Sequence, residues 1–335
     1  MTDTHVTSRG PIFIGGPDRC GKTTMRAFLV SHPNISIPAV GSNMWTYFYG
    51  QFGDLGLRNN FERCLDAVLR YKHVGFLKPD INRIRREFWQ GKPTYARLFA
   101  LFHQHHAQQE GKPRWGDQTG LIERYADLIF AAYPGAKMTH MIRDPRDRYE
   151  ASLARSPNGR GRAGGATARW LYSVGLAKRN LQRYPDRYKV VRYETLVCQP
   201  EETLREVCAF LEEEFTPAML MMEGAREHRR KLHPGSNGQS GRSPLSADFI
   251  GQFRKRIPKR EIAFMQLYAG RKMFAYDYPP EPVQFSFSDW LLFSCVDWPA
   301  NLARMVAWRT VEAIQQNFPS LMRRKLNPTM VVKEG

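Results

Sequence analysis

A glycine-rich turn near the start of the chain carries the residues best suited to bind a phosphate group. Residues 16–23 read GPDRCGKT and match the pattern G-x4-G-K-[ST], with a strand-like apolar segment before them and a helix-like segment after. In such a turn the glycines let backbone N–H groups face an anion, and the start of the following helix adds positive potential. Arg19 and Lys22 add two full charges. The turn predicts a phosphate site; the alternative is a glycine-rich turn with solvated basic residues.

A second basic segment, residues 143–147 (RDPRD), directly follows a short apolar segment. Its two arginines, Arg143 and Arg146, suit a second phosphate because guanidinium groups bind oxyanions through paired hydrogen bonds. The alternative is a surface ion-pair cluster in which Arg146 and Asp147 offset each other. Taken alone, the residues of this segment favour neither interpretation.

Both basic segments lie at the ends of predicted strands. Apolar runs predict strands at 11–14, 138–142 and 188–193, and a helix-like stretch follows each of them. This alternation predicts an α/β fold, with a parallel sheet covered by helices on both faces as in the P-loop nucleoside triphosphatases. Ligands of such folds bind beyond the carboxyl ends of the strands, where the two basic segments are expected to lie.

Many nucleotide enzymes need a carboxylate that binds magnesium, and this sequence has none in the usual place. Such a carboxylate usually stands at the end of an apolar strand, and the candidates are Asp144 and Glu194. Each follows a basic or aromatic residue, Arg143 for the first and Tyr193 for the second, instead of the apolar strand itself. This counts against a P-loop kinase or nucleoside triphosphatase that uses Mg·ATP, which stays the first alternative.

Four segments of the chain, in order, resemble the sulfotransferases that use 3′-phosphoadenosine 5′-phosphosulfate (PAPS). Residues 11–25 are similar to the family's 5′-phosphosulfate loop, and residues 140–155 to its 3′-phosphate segment. Residues 114–137 resemble the stretch that leads into the second motif, and residues 190–211 resemble a later Tyr-Glu-Leu stretch with its helix. The resemblance covers about residues 11–275. It implies transfer of a sulfuryl group from PAPS to a hydroxyl or amine, with adenosine 3′,5′-bisphosphate as the product.

The resemblance also implies roles for individual residues. Arg143 would grip the 3′-phosphate, Tyr193 would lie near the adenine, and the loop 235–246 together with Arg254 would close over the co-substrate. The catalytic charges would be Arg19 and Lys22, which neutralise the departing 5′-phosphate, and no metal is required because that group leaves without a proton. The residues that would cradle the 5′-phosphosulfate are Arg19, Cys20, Gly21, Lys22, Thr23 and Thr24.

The chain departs from the family pattern near both phosphates. Lys22 stands where the family usually has Thr, so the turn combines features of the sulfotransferases and the nucleoside triphosphatases. The family's serine partner of the arginine usually lies eight residues after it. That position is Ala151 here, and Ser152 follows one residue later. Ser152 is therefore either a ligand of the 3′-phosphate or an ordinary serine on the surface of a helix.

The general base expected in this family is also absent from its usual place. Many members carry a Glu shortly after the first helix, but the corresponding residues 35–45 (ISIPAVGSNMW) contain no carboxylate. Gln118 likewise stands where many relatives have Lys. A base is worth about 10²–10⁴ in rate for an alcohol acceptor. Our candidate is Asp117, in a polar turn after Trp115, and the alternative is that Asp117 caps the following helix.

The composition indicates a globular and strongly basic protein. Hydrophobic residues make up 42% and charged residues 24%, which excludes disordered, collagen-like and coiled-coil chains. The formal charge of +18 favours anionic partners such as nucleotides, acidic glycans or an anionic membrane surface. We expect no specific nucleic-acid partner, because the basic residues are dispersed and no recognition motif is present.

Cysteine usage and the first residues predict a cytoplasmic location. The five cysteines are scattered without a CxxC pair, so neither a disulfide framework nor a metal site is expected. The first ten residues, MTDTHVTSRG, lack the apolar stretch of a signal peptide. No apolar run approaches the roughly 20 residues of a membrane-spanning helix.

The sequence divides into three predicted regions. Residues 1–10 are expected to be a disordered lead, 11–280 a sulfotransferase-like α/β domain, and 281–335 an aromatic-rich helical extension. Apolar and aromatic residues flanked by arginines in 285–325 predict one of two arrangements. The commoner one is a helix packed against the core, and the other is peripheral contact with a membrane surface.

Three functions are open on the sequence alone. The favoured one is a PAPS-dependent sulfotransferase, and the first alternative is the Mg·ATP enzyme described above. The second alternative is a catalytically inactive homologue that binds nucleotides or polyanions, which the missing Glu in 35–45 supports. The acceptor class stays open among carbohydrates, lipids and peptides, because acceptor pockets are built from variable segments such as 40–110.

Overall fold

The protein is described here from a computed structural model, which places residues 9–153, 161–225 and 247–317. Within these ranges the strands form one five-stranded sheet in the order β2-β3-β1-β4-β5, and every neighbouring pair is parallel. The α/β prediction is therefore confirmed. The strands are β1 (Ile12–Gly15), β2 (Ile35–Ser36), β3 (Arg114–Gln118), β4 (Lys137–Ile142) and β5 (Tyr188–Arg192).

Helices cover both faces of this sheet. The first ten are α1 (Lys22–Leu29), α2 (Met44–Tyr47), α3 (Arg58–Leu69), α4 (Ile81–Phe88), α5 (Tyr95–Gln109), α6 (Ala126–Ala132), α7 (Pro145–Leu153), α8 (Arg162–Arg183), α9 (Tyr193–Cys198) and α10 (Pro200–Leu211). The later helices are α11 (Phe253–Arg256), α12 (Lys259–Phe274), α13 (Phe287–Leu292) and α14 (Trp298–Asn317), and a π-helical turn at Phe293–Asp297 joins the last two.

Alternating side chains of the central strand explain the two-layer core. Phe13 on β1 belongs to the cluster formed with α3 to α5, whereas Ile12 and Ile14 belong to the opposite cluster with α1 and α10. Successive residues of a strand point to opposite faces, so a strand buried on both faces is apolar at every position. For this reason the short apolar run at 11–14 predicts a buried strand.

Strand β3, which lies next to β1, breaks this rule and was not among the predicted strands. All five of its residues are buried although three are polar. Arg114 Nε donates to the carbonyl of Gly10 over 2.7 Å, and Arg114 Nη1 pairs with Glu213 Oε1 over 3.0 Å. The partners of Arg114 lie far away in the sequence, so no local pattern indicated a strand here.

The C-terminal extension packs along α8. Gly164 N–H donates to Asn301 Oδ1 over 2.8 Å, and Arg124 forms a buried ion pair with Glu312 on α14. The opposite side of the extension is exposed: Trp290 is 53% accessible and its neighbours Phe287, Leu291 and Leu292 are exposed as well. None of the helices in the described ranges combines the length and apolar character that crossing a bilayer requires.

We expect that the contact between α8 and α14 tolerates no side chain at Gly164. A Cβ there would overlap the carbonyl oxygen of Asn301, whereas a Cβ at Gly165 would meet open space. Gly164→Ala should lower the free energy of unfolding by about 1–3 kcal/mol through overpacking. Gly165→Ala, the matched control, should raise it by about 0.5–1 kcal/mol because alanine favours the helix. Thermal unfolding measures both, and equal stability of the two variants would contradict the close packing.

Candidate anion-binding site at the carboxyl edge of the sheet

The glycine-rich turn connects β1 to α1 and requires glycine at two positions. Gly16 and Gly21 have φ angles of 114° and 94°, and Arg19 between them also has a positive φ of 65°. A Cβ at Gly16 would overlap the carbonyl oxygen of Met141 on β4, so the turn crosses the end of that strand at backbone contact. The turn therefore lies at the carboxyl edge of the sheet, where the sequence predicts it.

Side chains of the turn close it on itself. Lys22 Nζ donates to the carbonyl oxygens of Gly16 and Pro17 over 2.8 and 2.6 Å. Cys20 Sγ donates to the Pro17 carbonyl over 2.8 Å, and burial raises the pKa of the Cys20 thiol. The thiol is thus a neutral donor that shapes the turn. The Thr23 side chain is exposed on the first turn of α1, and Thr24 is buried behind it.

A buried carboxylate that sequence reasoning missed supports the turn from behind. Glu123 is fully buried, and its Oε2 accepts the Gly16 N–H over 2.9 Å. Its Oε1 accepts the Ser173 hydroxyl over 2.6 Å, and His140 Nε2 lies 2.9 Å from the same hydroxyl. Burial lowers the pKa of His140, so this imidazole is neutral near pH 7. Only its place in the apolar-periodic segment 122–133 could have marked Glu123 as buried.

Arg143 lies directly beside the turn. Its Nη1 donates to the Arg19 carbonyl over 3.4 Å, and its Nη2 donates to the Phe249 carbonyl over 2.8 Å. The side chain is almost entirely buried, and its Nε has no hydrogen-bond partner among the described residues. Trp170 Nε1 donates to the Arg143 carbonyl over 3.0 Å and fixes this end of β4 against α8. The guanidinium therefore retains an unused donor next to the glycine-rich turn.

Tyr193 connects the two basic elements. It starts α9 at the end of β5, and its ring lies 4.6 Å from the Arg143 guanidinium. A Cβ at Gly21 would overlap this ring, so the ring packs directly against the turn. Turn, ring and guanidinium form one continuous wall.

The second arginine of the 143–147 segment does not join this wall. Arg146 is buried and not at the surface, and its Nη2 pairs with Asp144 Oδ2 over 2.7 Å instead of with Asp147. Asp147 accepts the N–H groups of Gly251 and Phe253 over 2.6 and 3.0 Å. The interpretation as a surface pair between Arg146 and Asp147 is therefore wrong, because both side chains tie α7 to the later part of the chain.

The two carboxylates considered as magnesium ligands are engaged in the same framework. Asp144 Oδ1 accepts the Arg146 backbone N–H over 2.8 Å, and Glu194 Oε1 accepts the Asp144 N–H over 2.9 Å. Glu194 Oε2 accepts the Tyr278 hydroxyl over 2.8 Å. Burial raises the pKa of Glu194, which further disfavours a bare carboxylate at this position.

Ser152 and Arg254 are engaged with partners outside the wall. The Ser152 hydroxyl donates to the Tyr149 carbonyl over 2.7 Å at the end of α7. Arg254 is 57% exposed at its side chain and forms an ion pair with Glu281. The loop 235–246, predicted to close over the co-substrate, lies outside the described residues.

Asp117 occupies the end of β3 and does not cap a helix. It is fully buried, and its carboxylate accepts the Ser42 N–H over 3.0 Å, the Ser42 hydroxyl over 2.7 Å and the Thr119 hydroxyl over 3.1 Å. Burial alone would raise the pKa of Asp117, but the neighbouring His103 and Ser42 outweigh it and lower the pKa. In this position the charged carboxylate holds the loop that follows β2.

Comparisons with known proteins agree on one family. A family model described as "Sulfotransferase family" matches residues 11–217. A protein-tyrosine sulfotransferase of Drosophila melanogaster is 25% identical over 224 residues, which are 63% of this chain and 40% of that protein. The chain therefore spans well under half of that relative's length.

Two solved structures illustrate the structural similarity. The sulfotransferase domain of the Synechococcus PCC 7002 olefin synthase is 18% identical, with 90% of this chain and 94% of that chain covered and a TM-score of 0.44. Sulfotransferase STF9 from Mycobacterium avium is 14% identical, with 82% and 79% covered and a TM-score of 0.46.

We expect that removal of the carboxylate behind the turn destabilises the protein. Glu123→Ala leaves the Gly16 N–H and the Ser173 hydroxyl buried without their acceptor, and each such group costs about 1–3 kcal/mol. Denaturant unfolding should show a loss of about 2–5 kcal/mol in the free energy of unfolding. Glu206→Ala, which removes an exposed carboxylate paired with Lys189, is the control and should change stability by less than about 1 kcal/mol. Similar losses in both variants would disprove the support role.

Proposed function

The chain belongs to the sulfotransferase family, and we propose that it transfers a sulfuryl group from PAPS to a hydroxyl or amine of an acceptor, with adenosine 3′,5′-bisphosphate as the product. The observation that carries the proposal is the contact between its two anion-binding elements. The Arg143 guanidinium lies 3.4 Å from the Arg19 carbonyl of the glycine-rich turn and keeps a buried donor unused. A nucleotide with one anionic group on each side of its ribose suits two such neighbouring elements.

In this proposal the turn holds the 5′-phosphosulfate. Backbone N–H groups of residues 19–24, the exposed Thr23 hydroxyl and the positive end of α1 would face its oxygens. The acceptor oxygen attacks sulfur in line, the bond between sulfur and the bridging oxygen breaks, and the electron pair leaves on the 5′-phosphate. Arg19 and Lys22 neutralise the charge that builds on this group, once Lys22 exchanges its carbonyl contacts for phosphate oxygens.

The other side of the site would read the 3′-phosphate and the base. Arg143 would bind the 3′-phosphate through its guanidinium, and the ring of Tyr193 beside it suits the adenine. We propose lesser roles for Ser152 and Arg254, since each would first release the partner that it holds in this structure, the Tyr149 carbonyl and Glu281 respectively. Both belong to elements next to Arg143, α7 and the segment that carries Phe249.

The engaged carboxylates distinguish this proposal from the Mg·ATP alternative. Asp144 and Glu194 are both occupied by arginine, backbone and tyrosine donors, so neither offers free oxygens to a metal without rearrangement. Sulfuryl transfer needs no metal ligand, because Arg19 and Lys22 neutralise the charge of the departing phosphate. A catalytically inactive homologue would bind the same nucleotide and would differ from the proposed enzyme only in showing no turnover of PAPS.

The wider setting of the reaction is also proposed. We propose that residues 11–280 carry the reaction, that 281–335 form an extension, and that the exposed apolar residues within 285–325 contact a membrane surface peripherally. All five cysteines are free thiols, which suits a reducing compartment such as the cytoplasm. Carbohydrate, lipid and peptide hydroxyls are the acceptor classes to test.

We predict that adenosine 3′,5′-bisphosphate stabilises the protein in the absence of metal. At a concentration of about 100 Kd a bound ligand adds about 2.7 kcal/mol, which a thermal-shift measurement resolves easily. Mg·ATP at the same concentration should give a much smaller shift. A shift produced only by Mg·ATP would overturn the sulfotransferase proposal in favour of a kinase.

We predict that Arg143→Ala distinguishes the bisphosphate from AMP. Loss of hydrogen bonds to a charged group costs about 1.5–3 kcal/mol, so Kd for the bisphosphate should rise roughly tenfold to a hundredfold. Binding of AMP, which lacks the 3′-phosphate, should weaken far less. Arg205→Ala, at an exposed arginine paired with Glu201, is the control and should change neither affinity. Equal losses for both ligands in Arg143→Ala would show that Arg143 does not read the 3′-phosphate.

A further inference from the structure

Four arginines in the described ranges are buried, and they differ in the partners that they hold. Arg114 and Arg146 form ion pairs with carboxylates, over 3.0 and 2.7 Å. The hydrogen bonds of Arg143 and Arg148 within these ranges go only to backbone carbonyls. A buried guanidinium without a counterion is costly. Since Arg143 is the residue proposed to bind a phosphate, the same environment at Arg148 indicates a second anion ligand.

Two of these arginines, Arg146 and Arg148, lie on the same helix, α7, and each is only 2% exposed. Side chains two positions apart on an α-helix point about 200° away from each other. Arg146 points toward the later helices, where its Nη1 donates to Gln266 Oε1 over 2.7 Å. Its Nε and Nη2 bind the two oxygens of Asp144. Every side-chain nitrogen of Arg146 therefore has a partner.

Arg148 faces α8 instead and has far fewer partners. Its Nη1 donates to the Ala166 carbonyl over 3.3 Å, and its Nε has no hydrogen-bond partner in the part of the chain that the structure describes. No Asp or Glu occurs in α8 or in residues 154–160, which follow α7. The elements next to this guanidinium thus supply no carboxylate to pair with its charge.

The segment of α8 that Arg148 contacts also contacts the glycine-rich turn. One helical turn after Ala166, Arg169 Nη1 pairs with Asp18 Oδ2 of the turn over 3.0 Å. The other oxygen of this carboxylate lies near Lys22, because a Cβ at Gly120 would be 3.2 Å from Asp18 Oδ1 and 4.0 Å from Lys22 Nζ. Contacts along α8 therefore connect Arg148 to the turn.

The charges of the turn act on Arg148 as well. Burial lowers the pKa of Arg148 to about 10, and the like charge of Arg169 lowers it too, whereas Asp18 opposes the shift. Burial alone would raise the pKa of Asp18, but Lys22, Arg169 and Arg148 outweigh it and lower the pKa. Because such effects fall off with distance, the Arg148 guanidinium lies close to the turn, and it stays charged near pH 7.

PAPS carries one anionic group for which the proposed function names no side-chain cation. Arg143 takes the 3′-phosphate, and Arg19 and Lys22 take the 5′-phosphate. The sulfonate, which is joined to the 5′-phosphate through the bridging oxygen, has none. A guanidinium binds oxyanions of this kind through paired hydrogen bonds. The unassigned anion and the unpaired cation therefore match in charge, in chemistry and in their position at the turn.

We propose that Arg148 binds the sulfonate of PAPS, an inference that rests on the proposed sulfotransferase function. In this structure the carboxylate of Asp18 supplies the negative charge beside Arg148 and Arg169. When PAPS binds, the sulfonate supplies that charge and displaces Asp18 toward solvent, to which its side chain is already 65% exposed. Arg148 thus holds the group that is transferred.

The test compares Arg148→Met and Arg148→Lys with Arg146→Met, the matched buried arginine on the same helix. Binding of PAPS and of adenosine 3′,5′-bisphosphate is measured by calorimetry without an acceptor, because these two nucleotides differ only by the sulfonate. In Arg148→Met the Kd for PAPS should rise about tenfold to a hundredfold, whereas the Kd for the bisphosphate should change far less. Arg148→Lys, which keeps the charge, should bind PAPS with an intermediate Kd.

Thermal unfolding of the ligand-free variants gives an independent readout. Arg148→Met should unfold at or above the Tm of the wild type, because an apolar side chain replaces a buried charge that has no carboxylate partner. Arg146→Met should have a lower Tm, since it leaves the buried carboxylate of Asp144 without its arginine. A loss of Tm in Arg148→Met as large as that in Arg146→Met would assign Arg148 to the framework and overturn the proposal.

The binding data also separate this inference from the proposed function. If the wild type binds both nucleotides and Arg148→Met weakens both equally, or weakens neither, the sulfonate assignment is wrong and the proposed function stands. A wild-type chain that binds neither nucleotide overturns the proposed function, and this inference with it.

Discussion

The hydrogen bond between the buried Glu123 carboxylate and the Gly16 N–H is the contact on which the geometry of the site depends. It fixes Gly16, the first residue of the turn, at a position where a Cβ would overlap the backbone of β4. A carboxylate in this place is costly unless every oxygen has a donor, and Ser173 supplies the second one. The turn thus has the Glu123 side chain behind it and the positive groups of Arg19 and Lys22 around it.

One helix aligns both halves of the site. Along α8, Trp170 holds the Arg143 carbonyl, Ser173 holds Glu123, and Arg169 pairs with Asp18 of the turn over 3.0 Å. The turn and the arginine come from separate strands, yet their spacing is set by side chains within two turns of the same rigid element. Together with the direct hydrogen bond from Arg143 to the Arg19 carbonyl, this arrangement explains how the two anion-binding groups keep a constant separation.

The parts of the site that local spacing encodes were predictable, and the parts that depend on distant partners were not. The turn at 16–23 and Arg143 follow apolar strands, and both lie at the predicted edge of a parallel sheet. By contrast, β3 is polar because Arg114 meets Glu213 across almost a hundred residues, and no periodicity indicates such a partner. The roles of Glu123 and the inward direction of Arg146 were missed for the same reason, since burial of a charge is decided by tertiary contacts.

The close packing of α14 on α8 bears on where the chain can be cut. A fragment that stops at residue 280 would leave Arg124 without the carboxylate of Glu312 and would open the groove over Gly164 to water. Such a truncation would expose α8, the helix that aligns both anion-binding groups. A minimal fragment for crystallisation or nuclear magnetic resonance should therefore retain the chain through at least residue 317, even if the chemistry ends far earlier.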